Sequence, residues 1–363
     1  MMSENLFERT FGRPQAATGW AAGRVNLIGE HTDYNGGFVL PTTLPLGVRA
    51  GIAPISSHED EVFSGRFEKL SRRQTNERAS GAWSDYVVGA LQAAREAGWI
   101  DDPMQVAISS DLPDGVGLSS SAATVIAVLK AVLSLRGRTI APMELAKIAQ
   151  RVENDFIGVP CGIMDQAVIA LNAKDTAILL DTETLDYKTI DIPPKWRFAI
   201  VDTGIKRKLN DGRYAERREE CERAAHMLGT DTLCGMSDDQ IKAIATLPGT
   251  EAKRARHAHT EQSRTIEAVA ALEAGDLLKM GDVMNRGHRS LSADFEVSTP
   301  EIDALVAEAV RAGAAGARLT GGGFGGSIVA VIAEDRFDSW QATLTRKLQD
   351  AGVVCCLGGV PEN

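Results

Sequence analysis

The sequence predicts an α+β protein of two lobes, and three observations carry that reading. At 363 residues the chain is longer than one hydrophobic core ordinarily organises, which points to about two domains with a cleft between them. Its early part alternates short apolar runs with Gly and Pro, whereas most of its later part carries helical periodicity. The order is mixed and lacks the regular strand–helix alternation of a parallel βαβ sheet.

Along the chain, RVNLIGE, GGFVLP, LGVRAGIAP and MQVAISSDLP read as strands with tight connections. After GVGLSSSAA the period changes, and ATVIAVLKAVLSL reads as a long helix. A second helix follows in APMELAKIAQRVENDF, with Pro142 in its first turn, where a missing N–H costs nothing. TAILLDTETLDYKTIDI reads as a hairpin, and Pro193 and Pro194 then break the chain before the strand WRFAIVDTG. The lobe boundary is placed there, giving lobes 1–194 and 195–363. The rest is mostly helical, YAERREECERAAHMLG included, until RLTGGGFGGSIVAVIA supplies a Gly-rich loop and an apolar strand.

Composition narrows the function. Hydrophobic residues at 44% and charged residues at 24% are ordinary for a chain folded throughout. A net charge of -10 opposes wholesale binding to nucleic acid or anionic membrane, so an anionic ligand must be held locally. No stretch approaches the ~18 apolar residues of a membrane span, and MMSENLFERT lacks the layout of a secretion signal, so the cytoplasm is expected. The five cysteines form no C-x-x-C. Cys161, Cys221 and Cys234 read as reduced thiols, and Cys355 and Cys356 as strand residues.

Three segments carry candidate chemistry. In DLPDGVGLSSSAA, Gly115, Gly117, Ser119, Ser120 and Ser121 stand where a strand gives way to a helix. Taken alone this is either a Ser-capped helix after a Gly turn or an anion site, since a helix start offers unpaired N–H groups and positive dipole charge. It matches neither G-x-x-x-x-G-K-[ST] nor the dinucleotide fingerprint. TGGGFGG precedes a strand and reads equally as a hairpin turn or as a loop that lets backbone approach a ligand. GRVNLIGEHTDYNGG packs Arg24, Glu30, His31, Asp33 and Tyr34 into eleven residues, a density suited to binding a polyol, though Asp and Asn also form turns. No second His or Cys stands at metal-ligand spacing from His31. Finally, VENDFIGVPCGIMDQ places Glu153 near a helix end and Asp165 twelve residues on, where an apolar setting makes an unpartnered carboxylate costly; taken alone, Asp165 reads equally as a helix-capping residue.

Together these segments resemble the GHMP kinase superfamily and, within it, the galactokinase family. The first signature runs from Gly23 to Tyr34; the second is GVGLSSSAA and the third RLTGGGFGG. The likeness continues through VPCGIMDQ, through Tyr214 in RYAERREEC, through RARHAHTEQSRT and through GDVMNRGHRSLSADFEVSTPEIDAL, so it covers nearly the whole chain. It implies a two-lobed GHMP kinase fold with the active site in the cleft, and ATP-dependent phosphorylation of α-D-galactose at its C1 hydroxyl. By the same resemblance Glu30, His31, Thr32, Asp33 and Tyr214 hold the sugar. Gly115, Val116, Gly117, Leu118, Ser119, Ser120 and Ser121 wrap the ATP phosphates, with Ser64 touching the nucleotide. Ser121 and Glu153 hold Mg²⁺, Asp165 is the general base and Arg24 lies beside it.

The implied partners are the sugar and ATP, with no nucleic acid or membrane, and the chain is expected as a monomer or weak homo-oligomer. Kinases for N-acetylgalactosamine, arabinose and uronic acids share the architecture; the unbroken EHTDYN favours unsubstituted galactose. A non-catalytic galactose-responsive relative would lack part of the GLSSSA loop, which is full length here. Thr42, Thr43 and Ser327 depart from the family pattern and are expected to stand clear of the chemistry.

Overall fold

The computed structural model describes residues 2–171, 176–205, 212–348 and 352–357. In chain order the elements begin with α1 (Met2–Phe11), β1 (Ala17–Asn26), β2 (Phe38–Val39), β3 (Pro41–Pro54), β4 (Glu59–Ser64), β5 (Lys69–Gln74), α2 (Asp85–Glu96) and β6 (Met104–Ser110). Next come α3 (Ser120–Leu135), α4 (Pro142–Arg151), a π-helical turn (Val152–Ile157), α5 (Met164–Leu171), β7 (Thr176–Asp181), β8 (Tyr187–Asp191) and β9 (Trp196–Asp202). The remainder is α6 (Arg213–Leu228), α7 (Asp238–Ala243), α8 (Gly249–Ala274), α9 (Leu277–Ala293), α10 (Pro300–Arg311), β10 (Gly316–Thr320), β11 (Ser327–Ala333), α11 (Phe337–Thr345) and β12 (Gly352–Leu357). The α+β reading holds, as do the strand-rich start and the helical later part. α1 and α2 add helices to that start; Phe7 of α1 is held by packing against Ala53 and Ala107.

The chain forms two compact units, each assembled from three stretches. One comprises Met1–Arg24, Pro45–Leu112 and Ser119–Asn172; the other comprises Val25–Leu44, Pro113–Leu118 and Ala173–Asn363. The cut expected at 194/195 falls inside the second unit. β1 and β3 each run through a junction; in β3 the part before it pairs with β7 at Thr42 and the part after it with β6.

In the first unit, β3 pairs antiparallel with β6 from Val48↔Ser110 to Pro54↔Met104. β6 pairs in parallel with β4, and β4 antiparallel with β5. α3 is buried along most of its length, which is why its sequence is apolar all round instead of striped. α4 begins at Pro142 as expected and continues into the π-helical turn, closed by Gly158 in the left-handed region.

In the second unit, β7 and β8 form the expected antiparallel hairpin, and β2 pairs with β7. A separate antiparallel sheet has the order β10-β11-β9-β12. Its inner strands β9 and β11 are buried on both faces, so their apolar runs are continuous. Cys355 and Cys356 lie on β12, and all five cysteines are free thiols. α9 meets β10 at two glycines: a Cβ on Gly281 would stand 2.2 Å from Ala315 O, and one on Gly316 2.2 Å from Gly281 O. Gly281→Ala is therefore expected to lower stability by about 2–3 kcal/mol through overpacking, read as a lower denaturant midpoint at unchanged slope. Among the described residues no helix is long and apolar enough to cross a membrane.

Candidate active site

Each unit gathers one cluster of the expected residues. In the first, Asp165 stands in the opening turn of α5 and receives Arg24 bidentately: Nε donates to Oδ1 at 2.6 Å and Nη2 to Oδ2 at 2.8 Å. A planar guanidinium fork fixes both carboxylate oxygens at once. The side chain of Arg24 is 7% exposed and that of Asp165 27%, so the cation is enclosed and the carboxylate keeps an open face. Ser119 Oγ also donates to Asp165 Oδ2.

That last contact decides how the Ser loop is read. Ser119 occupies the N-cap of α3 with φ 58 and makes no side-chain cap bond. Its hydroxyl goes to Asp165 instead, so the helix start is left uncapped by Ser119 and its first N–H groups stay available. A non-Gly residue in the left-handed region carries strain of the kind that collects at functional sites. Ser120 is exposed and Ser121 half-buried.

Glu153 lies in the π-helical turn, a feature frequent at functional sites. Burial pushes its carboxyl up to about 7; the Asp165 charge adds to this, while hydrogen bonds from Gln166 and Ser121 and the charge of Arg24 oppose it. Ser121 and Glu153, expected to share a cation, are thus brought together. Gln166 donates from Nε2 to Glu153 Oε1 at 3.0 Å, and its own Oε1 is buried without a hydrogen-bond partner. A buried carboxylate, a hydroxyl and an orphaned amide oxygen are hard donors, and they fit Mg²⁺. Among the described residues no three His, Cys, Asp or Glu side chains form a metal cage. Ser64 is not brought to these groups: buried at the end of β4, it accepts from Phe67 N–H at 3.4 Å, and the Phe67 ring meets that of Trp83 at a tilt of 44°.

The second unit holds the sugar signature as a tight turn after β1. Gly29 (φ 97) and His31 (φ 63) are left-handed. Thr32, expected among the sugar ligands, is fully buried, with its hydroxyl 2.8 Å from both Gly29 O and Phe38 O, contacts that shape the turn. His31 Nδ1 lies 2.8 Å from Tyr34 Oη, and the His31 ring packs against Tyr214 of α6 at 5.5 Å and Phe295 at 4.6 Å. Asp33 is half-buried on the same turn.

Glu30 is enclosed, and its Oε2 stands 2.6 Å from Arg318 Nη2. Burial pushes the Glu30 carboxyl up to about 7, with Arg318 pulling against that and Glu261 adding to it. Glu261 is itself buried, accepting from Gly29 N–H at 3.1 Å, from Arg318 at 2.6 Å and from Arg264 Nε at 2.7 Å. Although burial acts to raise it, the two guanidinium groups hold its carboxyl well below the usual range. His257, pushed down to about 4 by burial, places Nε2 3.1 Å from Glu30 O; with a carbonyl as partner, that nitrogen carries the proton.

Sequence reasoning assigned no role to His257, Glu261, Arg264 or Arg318, although RARHAHTEQSRT and RLTGGGFGG contain them. The only signal was their spacing, which sets His257, Glu261 and Arg264 on one face of α8. Gly115 and Gly117 are left-handed, with φ 75 and 78, a backbone habit of anion-binding nests. Ser327, expected to stand clear, donates to Val116 O at 2.8 Å. It therefore braces the Gly-Ser loop.

A Gly-Ser loop opening α3, a clamped carboxylate on α5 and a Gly-rich hairpin between β10 and β11 define a GHMP kinase. Residues 85–173 match the GHMP kinases N terminal domain and 268–349 the GHMP kinases C terminal, while 5–54 match the galactokinase galactose-binding signature. The chain is 37% identical to the galactokinase of Mannheimia succiniciproducens, over 93% of this chain and 90% of that one. It is 39% identical to that of Roseiflexus sp., over 91% and 87%. It superposes on the crystal structure of Lactococcus lactis galactokinase complexed with galactose at a TM-score of 0.89, with 33% identity over 96% and 95% of the two chains. Methanococcus jannaschii mevalonate kinase, at 19% identity and a TM-score of 0.73 over 94% and 98%, shares the fold. The chain belongs to the galactokinase family.

Proposed function

We propose that the chain transfers the terminal phosphoryl group of ATP to the C1 hydroxyl of α-D-galactose, giving galactose 1-phosphate and ADP. The observation that carries this reading is the Asp165 carboxylate, fixed by Arg24 and Ser119 with one face left open. Asp165 accepts the hydroxyl proton, and Arg24 prevents the carboxylate from rotating away from it. The loop from Gly115 to Ser121 and the start of α3 bind the phosphates, supported by the left-handed glycines and the uncapped helix N-terminus. Ser121 and Glu153, with Gln166 beside them, hold Mg²⁺, which neutralises phosphate charge when bound. Glu30, His31, Asp33 and Tyr214 hold sugar hydroxyls, and the exposed face of Phe67 offers a surface to the nucleotide next to Ser64. Five free thiols fit a protein acting in the cytoplasm.

ADP release by the purified protein against a panel of hexoses, pentoses and amino sugars tests the proposal. Galactose is expected to give the highest kcat/KM. Silence with galactose and turnover with another sugar would reassign the substrate.

A further inference from the structure

We infer that Arg318 is a positioning residue for the sugar turn, holding the Glu30 side chain directly and the Gly29 backbone through Glu261. The inference rests on the reading of Glu30 as a sugar ligand. Arg318 is 0% exposed on β10 with Nη1 buried and lacking a hydrogen-bond partner, so its burial depends on the carboxylates at Nη2. Its Nη2 donates a hydrogen bond to Glu261 Oε1 at 2.6 Å and stands in ion-pair contact with Glu30 Oε2 at 2.6 Å, whose oxygens make no hydrogen bond of their own. Glu261 passes the constraint on by accepting the Gly29 N–H, and Arg264 fixes its other oxygen. His257 closes the arrangement at the Glu30 carbonyl.

The residue that carries a sugar-facing carboxylate is thereby held at its side chain, at its carbonyl and at the amide of the residue before it. A left-handed His31 follows immediately, a conformation that persists where its surroundings over-determine it. Room for the guanidinium is made by Gly287 of α9: a Cβ there would stand 2.5 Å from Arg318 Nη1 and 3.1 Å from its Cζ.

Two single variants read this out. Arg318→Lys keeps the charge but shortens the reach to Glu30 and Glu261 and loses the Nε donor to Leu319 O, and is expected to raise the galactose KM about tenfold while kcat and the ATP KM stay within about twofold. Gly287→Ala leaves Arg318 in place but displaces its guanidinium, in a helix where Ala is the better former, and is expected to raise the galactose KM alone by about threefold. In a Glu30→Gln background Arg318→Lys is expected to add nothing further to the galactose KM. Three results would overturn the inference: no change in galactose KM in either single variant, equal changes for both substrates, or the full Arg318→Lys effect surviving in the Glu30→Gln background. Glu30→Gln alone is expected to raise the galactose KM; an unchanged value removes Glu30 from sugar binding and the inference with it. That failure is told apart from the first three by this single variant.

Discussion

Asp165→Asn is expected to lower kcat by about a thousandfold, with the galactose dissociation constant moving by less than about threefold. The amide is isosteric, so Arg24 can still donate to one oxygen, and the sugar-binding turn of the second unit lacks Asp165 altogether. What disappears is the acceptor for the hydroxyl proton. Asn also presents an NH₂ group where Oδ2 now accepts from Arg24 and Ser119, which misplaces part of the clamp. Calorimetric titration with galactose in the absence of ATP, alongside single-turnover ADP release, separates binding from chemistry. Near-normal turnover would strip Asp165 of its role.

The second large effect is the loss of a divalent cation. With chelator in excess, ADP release is expected to stop, because the charge on the ATP phosphates is then left to the start of α3 and the amides of the Gly-Ser loop. Glu153→Ala is expected to raise the Mg²⁺ concentration for half-maximal rate by about tenfold or more. Glu153 is buried and its cationic neighbour Arg24 is engaged by Asp165, so removing it relieves an enclosed carboxylate and the fold is expected to survive. A thermal melt of the variant checks this. ATP consumption that continues in chelator refutes the cation requirement, and an unchanged Mg²⁺ titration in Glu153→Ala refutes the ligand assignment alone.

Much of this is legible in the sequence, and the limits have physical causes. ATVIAVLKAVLSL reads as a long helix from its period, and TAILLDTETLDYKTIDI as a hairpin because apolar period and turn residues agree. The neighbourhood of Arg24 and Asp165 followed from resemblance; periodicity cannot join residues 141 positions apart. The polar face of α8 escaped because charges on a helix normally face water, whereas His257 and Glu261 are completely buried and find their partners in β10 and the turn after β1. Thr32 and Ser119 escaped for a related reason. Where a hydroxyl spends its one proton depends on which acceptor lies nearest in space, and the sequence does not record that. Pro193 and Pro194 mark where the chain breaks, whereas the compact units are decided by which stretches pack together.

That interleaving bears on how the molecule is made. Six stretches in sequence leave five junctions between the units, so neither unit is delivered by the ribosome as one uninterrupted piece. The first has all its residues once Asn172 has emerged. The turn at Gly29 must wait for Glu261, and Val116 for Ser327. Nascent chains stalled before α8 should therefore carry the sugar signature as an unfinished loop, open to proteases and chaperones, and completion of the earliest motif falls to some of the last residues synthesised.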